Sequence, residues 1–75
     1  MTEAITIRRA TQADAGRVRR LAELDSSSVP VGAAVLAEMH GELIAAVSER
    51  DGHAIADPFV PTADVVAVLR RVVGR

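Results

Sequence analysis

Along residues 5–8 the chain alternates strictly, with Ile5 and Ile7 on one side and Thr6 and Arg8 on the other. A period of two marks a half-buried strand. After Thr11 the period changes. In TQADAGRVRRLAELD, Val18, Leu21, Ala22 and Leu24 form an apolar stripe, while Arg17, Arg19, Arg20 and Glu23 line the rest. Thr11 is placed to cap, with Asp14 three residues on as a shortened capping-box partner. A helix over 12–25 is expected, although Gly16 costs roughly 1 kcal/mol relative to alanine. DSSSVPVG, 25–32, is loop chemistry: three serines, a proline and a glycine.

The segment 33–57 predicts two consecutive hairpins. His40-Gly41 is the first expected tight turn and Asp51-Gly52 the second, since such pairs tolerate positive φ. This places Met39 opposite Glu42, Ala37 opposite Ile44 and Val35 opposite Ala46. The other face pairs Leu36 with Ala45 and Ala34 with Val47. Both faces are then apolar, so the sheet is expected to be covered on both sides, by helices or by another subunit. The last strand, 53–57, is expected at an edge that Pro58 blunts at one end only.

PTADVVAVLRRVVGR closes the chain. Thr62 is the expected N-cap and Asp64 suits the first turn. Val65, Val66, Leu69, Val72 and Val73 recur at helical spacing, Arg70, Arg71 and Arg75 suit the C-terminal end, and Gly74 can stop the helix. The valines oppose this through their stiff χ1, but periodicity and caps outweigh them. The expected fold is α+β and sandwich-like, of order β-α-β-β-β-α: a four-stranded, mainly antiparallel sheet with two helices.

Composition narrows the function classes. Seventy-five residues allow one small domain, 1–75, of marginal stability. Phe59 is the one aromatic, so the core is expected to be built from Ala, Val, Leu and Ile, and a partner surface would help such a chain. The absence of cysteine excludes disulfides and thiolate chemistry. All nine basic residues are arginine, which excludes a Schiff-base lysine, and the net charge of -1 leaves no basic excess for nucleic acid. No stretch reads as a signal peptide or a membrane span, so the cytoplasm is the expected compartment.

Two parts of the sequence resemble a known family. ITIRRATQADAGRVRRLAELD looks like the opening strand and first helix of the GNAT N-acetyltransferase superfamily, through Ile7, Arg8, Ala10 and Asp14. VLAEMHGELIAAVSERDG is similar to that family's next hairpin, carried by Leu36, Ala37, Glu38, Gly41, Glu42, Leu43, Ile44 and Ala45. The resemblance covers residues 5–57, the N-terminal half of the fold, and extends to small alanine- and arginine-rich actinobacterial GNAT-like proteins. It implies a truncated acyl-CoA N-acyltransferase-like fold. In GNAT enzymes a glycine-rich loop and the following helix N-terminus cradle the pyrophosphate of acetyl-CoA. Here the corresponding segment is DPFVPTAD, 57–64: no glycine, two prolines without N–H donors, and Asp57 and Asp64 as flanking acids. The tyrosine that often serves those enzymes as an acid has no counterpart.

No catalytic, cofactor-binding or metal-ligating residue is therefore assigned. His40 and His53 read as solvated turn histidines: hairpin geometry could bring carboxylates near His53, but no H-x-x-x-H or H-E-x-x-H pairing exists. Ser26, Ser27 and Ser28 read as surface loop, without a nucleophile elbow. The arginine clusters at 17–20 and 70–71 read as solvated helix faces paired with Glu23 or other acids. The expected function is a non-catalytic, self-associating binding or regulatory module, a homodimer that takes no cofactor and binds neither nucleic acid nor membrane, with a protein partner possible. The alternative is a minimal N-acetyltransferase subunit using acetyl-CoA in a cleft completed by a partner chain.

Overall fold

A computed structural model describes residues 4–74. Arg75, expected at the last helix's C-terminal end, and the first three residues of the stretch read against a leader lie outside the described residues. Strand β1 (Ile5–Arg9) is followed by a single 3-10 turn (Gln12–Asp14) and helix α1 (Ala15–Leu24). Strands β2 (Ala34–Met39), β3 (Glu42–Ser48) and β4 (Ala54–Ala56) come next, then helix α2 (Ala63–Val73). The sheet runs β1-β2-β3-β4, every neighbouring pair antiparallel. The α+β class and the order of elements are as expected.

One helix covers each face. Val18, Leu21 and Ala22 of α1 pack with Leu36, Ala46 and Ile55. Val65 and Leu69 of α2 pack with Val35, Ala37, Ile44, Ala45 and Val47 on the opposite face. The strands between them are buried on both sides, and their sequence is accordingly an apolar run. Leu24 and Val72, placed on the apolar stripes by periodicity, stand 45% and 41% exposed. Leu24 is the last residue of α1, and on α2 it is Val73, next to Val72, that packs against the core.

The His40-Gly41 turn forms as expected, with φ of 54° and 77°, the doubly left-handed geometry of a two-residue hairpin. The pairing beyond it differs from expectation. Met39 faces Glu42 and Glu38 faces Leu43, but a β-bulge then shifts the register, so that Ala37 faces Ala45, Leu36 faces Ala46 and Val35 faces Val47. Ile44 is the extra residue. A bulge sets two residues against one, and here Ile44 and Ala45 both join the α2 side. Ala46 and Val47 thereby exchange the faces expected of them.

The second turn is longer than the two residues expected of Asp51-Gly52. Ser48 N–H donates to the His53 carbonyl (2.9 Å), so Glu49 to Gly52 form a four-residue loop. Ser48, fully buried, explains it: its Oγ donates to the Val31 carbonyl (2.8 Å) and accepts from Arg50 N–H (3.0 Å). A buried hydroxyl that binds local backbone competes with the tighter turn.

The first helix opens on the 3-10 turn, so its α-helical part begins at Ala15 rather than at 12. Thr11 N–H donates to Asp14 Oδ2 (2.7 Å), the reaching-back half of the expected capping box. At Gly16, in the first turn of α1, a Cβ would meet nothing within 4 Å. Gly16→Ala is expected to stabilise the domain by about 0.5 kcal/mol, through the lower backbone entropy of the unfolded chain. A urea midpoint that rises with an unchanged slope would show it.

Candidate functional site

Arg8, Asp14, Arg17 and Glu38 come from β1, the 3-10 turn, α1 and β2 and meet on the α1 side of the sheet. The Arg8 guanidinium grips Asp14 with both terminal nitrogens (2.8 and 2.7 Å). Its Nε donates to Glu38 Oε1 (3.0 Å). Arg17 bridges the same two acids, to Asp14 Oδ1 (2.5 Å) and Glu38 Oε2 (2.9 Å). Asp14, 2% exposed, also accepts from Thr11 N–H and Oγ1. Burial of a carboxylate raises its pKa, and donated hydrogen bonds lower it. Here the donors win: Arg8, then the Thr11 N–H and Arg17, hold Asp14 well below the usual carboxylate range. Arg8, then Arg17, lower Glu38 as well. Two cations and two anions close on one another, so the cluster ties β1, β2 and α1 together and holds its carboxylates ionised. That chemistry is structural. Arg17 stays exposed, as expected of a helix face, and among the acids it pairs with Asp14 at i,i+3 and with Glu38 across the sheet, rather than with Glu23.

The serine loop and His53 also come together, which their separation in sequence conceals. His53 Nε2 lies 3.2 Å from Ser27 Oγ, 3.3 Å from Ser28 Oγ and 2.9 Å from the Ser28 carbonyl. A carbonyl only accepts, so the shortest contact requires the proton on Nε2. The serine hydroxyls then accept from that N–H, and Nε2 is not a base for either of them. Nucleophilic serine chemistry needs the opposite tautomer. Asp25, at the start of the loop, accepts from Ala56 N–H (3.1 Å). Loop and histidine form a clasp that holds residues 25–28 to β4. His53 is half-buried there, a correction to the solvated turn histidine expected. The missed signal was a polar loop facing a short strand with one histidine at its mouth.

The segment 57–64 turns the chain from β4 into α2. Asp57 N–H donates to the Ile44 carbonyl (2.8 Å), and Val60 N–H to the Asp57 carbonyl (3.3 Å). Asp57 Oδ1 accepts from Phe59 N–H (2.8 Å), closing a local turn. Thr62 occupies the N-cap of α2, though its side chain makes no capping hydrogen bond, and Asp64 sits in the first turn. Pyrophosphate binding at such a corner needs converging N–H groups and no competing anion. Here the N–H groups of 57, 59 and 60 are already engaged, Pro58 and Pro61 have none, and Asp64 sets a carboxylate in the first turn of α2. The loop 57–61 itself therefore offers an anion few free N–H donors.

An open cleft of about 290 Å³ lies between α1 and the first hairpin, with Leu21, Leu24 and Leu43 lining it and Arg20, Glu42 and Asp57 at its polar margin. Among the described residues, no three His, Asp or Glu side chains gather as they would around a metal ion. Among the same residues, no helix is long and apolar enough to cross a membrane. Set beside protein-family models, curated proteins and solved structures, the chain matches none of them.

Proposed function

We propose that this chain is a small GNAT-like domain, non-catalytic by itself, that associates with a second copy in the cytoplasm and acts as a binding or regulatory module. The observation that carries the reading is the corner at 57–64. By the resemblance it corresponds to the family's cofactor loop, yet its N–H groups at 57, 59 and 60 are engaged internally, its prolines offer none, and Asp64 sets a negative charge in the first turn of α2. An anion there meets repulsion where it needs hydrogen bonds. The clasped His53 supports the same reading, because its orientation leaves Ser27 and Ser28 without a general base. Self-association draws support from four of the eight large apolar side chains left at the surface among the described residues, Ile5, Ile7, Val68 and Val72.

Isothermal titration of acetyl-CoA into the protein is the direct test. No binding heat is expected at micromolar protein, and no acyl transfer to a panel of amines. Tight binding together with transfer would replace this reading by a minimal acyltransferase subunit.

A further inference from the structure

The two edges of the sheet are unlike. β4 has three residues and runs directly into Asp57 and Pro58, the short, proline-stopped form by which proteins blunt an edge. β1 has five residues, no proline, and an unbroken register against β2 from Ile5 to Arg9. Its charges give little protection against pairing, since Arg8 is drawn onto Asp14 and Glu38 and Arg9 onto Glu49.

The backbone groups that β1 leaves open follow from one hydrogen bond. Ala10 N–H donates to the Ala34 carbonyl (2.9 Å). Antiparallel pairing alternates, so Thr6 and Arg8 also bond to β2, and Ile5, Ile7 and Arg9 present N–H and C=O outward. The Arg9 carbonyl already accepts from Arg8 Nη1 (3.1 Å). The open positions are therefore Ile5 and Ile7. Their side chains, 41% and 39% exposed, lie on the α2 side beside Val65 and Val68, around an apolar groove of about 250 Å³.

We propose that β1 pairs with β1 of a second copy, antiparallel about a two-fold axis at Thr6, joining two four-stranded sheets into one. This rests on the self-association proposed above and assigns it a surface. The register sets Ile5 against Ile7 of the other copy and the reverse, so both open backbone positions are satisfied twice over. Four isoleucines meet on one side, and the Thr6 side chains face each other on the other, a favourable cross-strand pair. The neighbouring register, centred on Ile7, sets Ile5 against Arg9 and calls on its engaged carbonyl. A self-complementary patch of this kind suits an isologous dimer. With Val68 and Val72, the exposed apolar patch at this face is a handful of side chains, small beside the roughly 1,200 Å² that a stable interface buries. The dimer should accordingly dissociate on dilution.

Light scattering over a dilution series and residue-resolved amide exchange test this together. The apparent mass should halve between millimolar and low micromolar protein. Amides of Ile5 and Ile7 should exchange about tenfold more slowly in the dimer, while those of Thr6 and Arg8 stay protected throughout. Ile7→Lys should be monomeric at every concentration with an unchanged circular dichroism spectrum, and Leu24→Glu, on the α1 side, should dimerise as the parent does. A dimeric parent with fast Ile5 and Ile7 amides, or a dimeric I7K, overturns the β1 surface and leaves self-association standing. A parent monomeric at every concentration removes both. If I7K fails to fold, the amide pattern of the parent decides.

Discussion

Leu69→Ala is expected to destabilise the domain by about 3 kcal/mol, the usual cost of deleting a fully buried leucine side chain with incomplete collapse of its cavity. Leu69 is 0% exposed, and α2 buries only one other side chain so deeply, Val65 at 9%. The helix has no side-chain hydrogen bond at its N-cap to compensate, and its valine-rich sequence has weak intrinsic helicity. A domain of this size commands about 5 kcal/mol in all, so most of its stability rests on this one contact. Urea unfolding followed by circular dichroism measures the effect. Val68→Ala, at a position 42% exposed on the same helix, should shift the midpoint only slightly. Equal shifts for the two would mean that α2 is not held through Leu69.

Asp14→Asn should be the most damaging change outside the apolar core. It removes the charge that Arg8 and Arg17 share and replaces one of two acceptor oxygens by an NH2 donor, so that Arg8, Arg17 and Thr11 compete for the one that remains. Loss of an anion hydrogen-bonded by two cations leaves those cations facing each other with only Glu38 between them. The melting temperature should fall by on the order of 10 °C. The pH dependence gives a sharper signature. Asp14 and Glu38 both hold pKa values below their ordinary ones in the folded protein. The native state then binds fewer protons than the unfolded state in acid. The stabilisation is full above the unfolded carboxylate pKa of about 4 and is lost as pH falls below it toward the lowered native values. Melting temperatures from pH 7 down to pH 2 should show that acid limb in the parent and a shallower one in D14N. Parallel curves would place the acid sensitivity elsewhere.

The resemblance singled out Arg8 and Asp14 as pattern positions, and the structure gives the physical meaning of that spacing. A strand ending at Arg9 and a 3-10 turn reaching Asp14 bring guanidinium and carboxylate face to face. Glu38 and Arg17 were equally visible as residues, but their convergence was not, because it depends on β1 lying beside β2 with α1 on one particular face. The corner at 57–64 was more legible. Its prolines and its aspartates are local signals of a strand-to-helix turn, and the chain does turn there from β4 into α2.

Local chemistry by itself determined the strands, the helices, their order and the His40-Gly41 turn, because each depends on a few neighbouring residues and one periodicity. Only the tertiary structure decided the bulge at Ile44. A one-residue slip in a strand that is apolar on both faces leaves the sequence pattern unchanged, so only the folded register shows Ile44 and Ala45 both on the α2 side. It also decided which edge stays open. Ile5 and Ile7 read as half-buried in either case, and only the order β1-β2-β3-β4 leaves β1 at a margin with its outward backbone groups facing solvent.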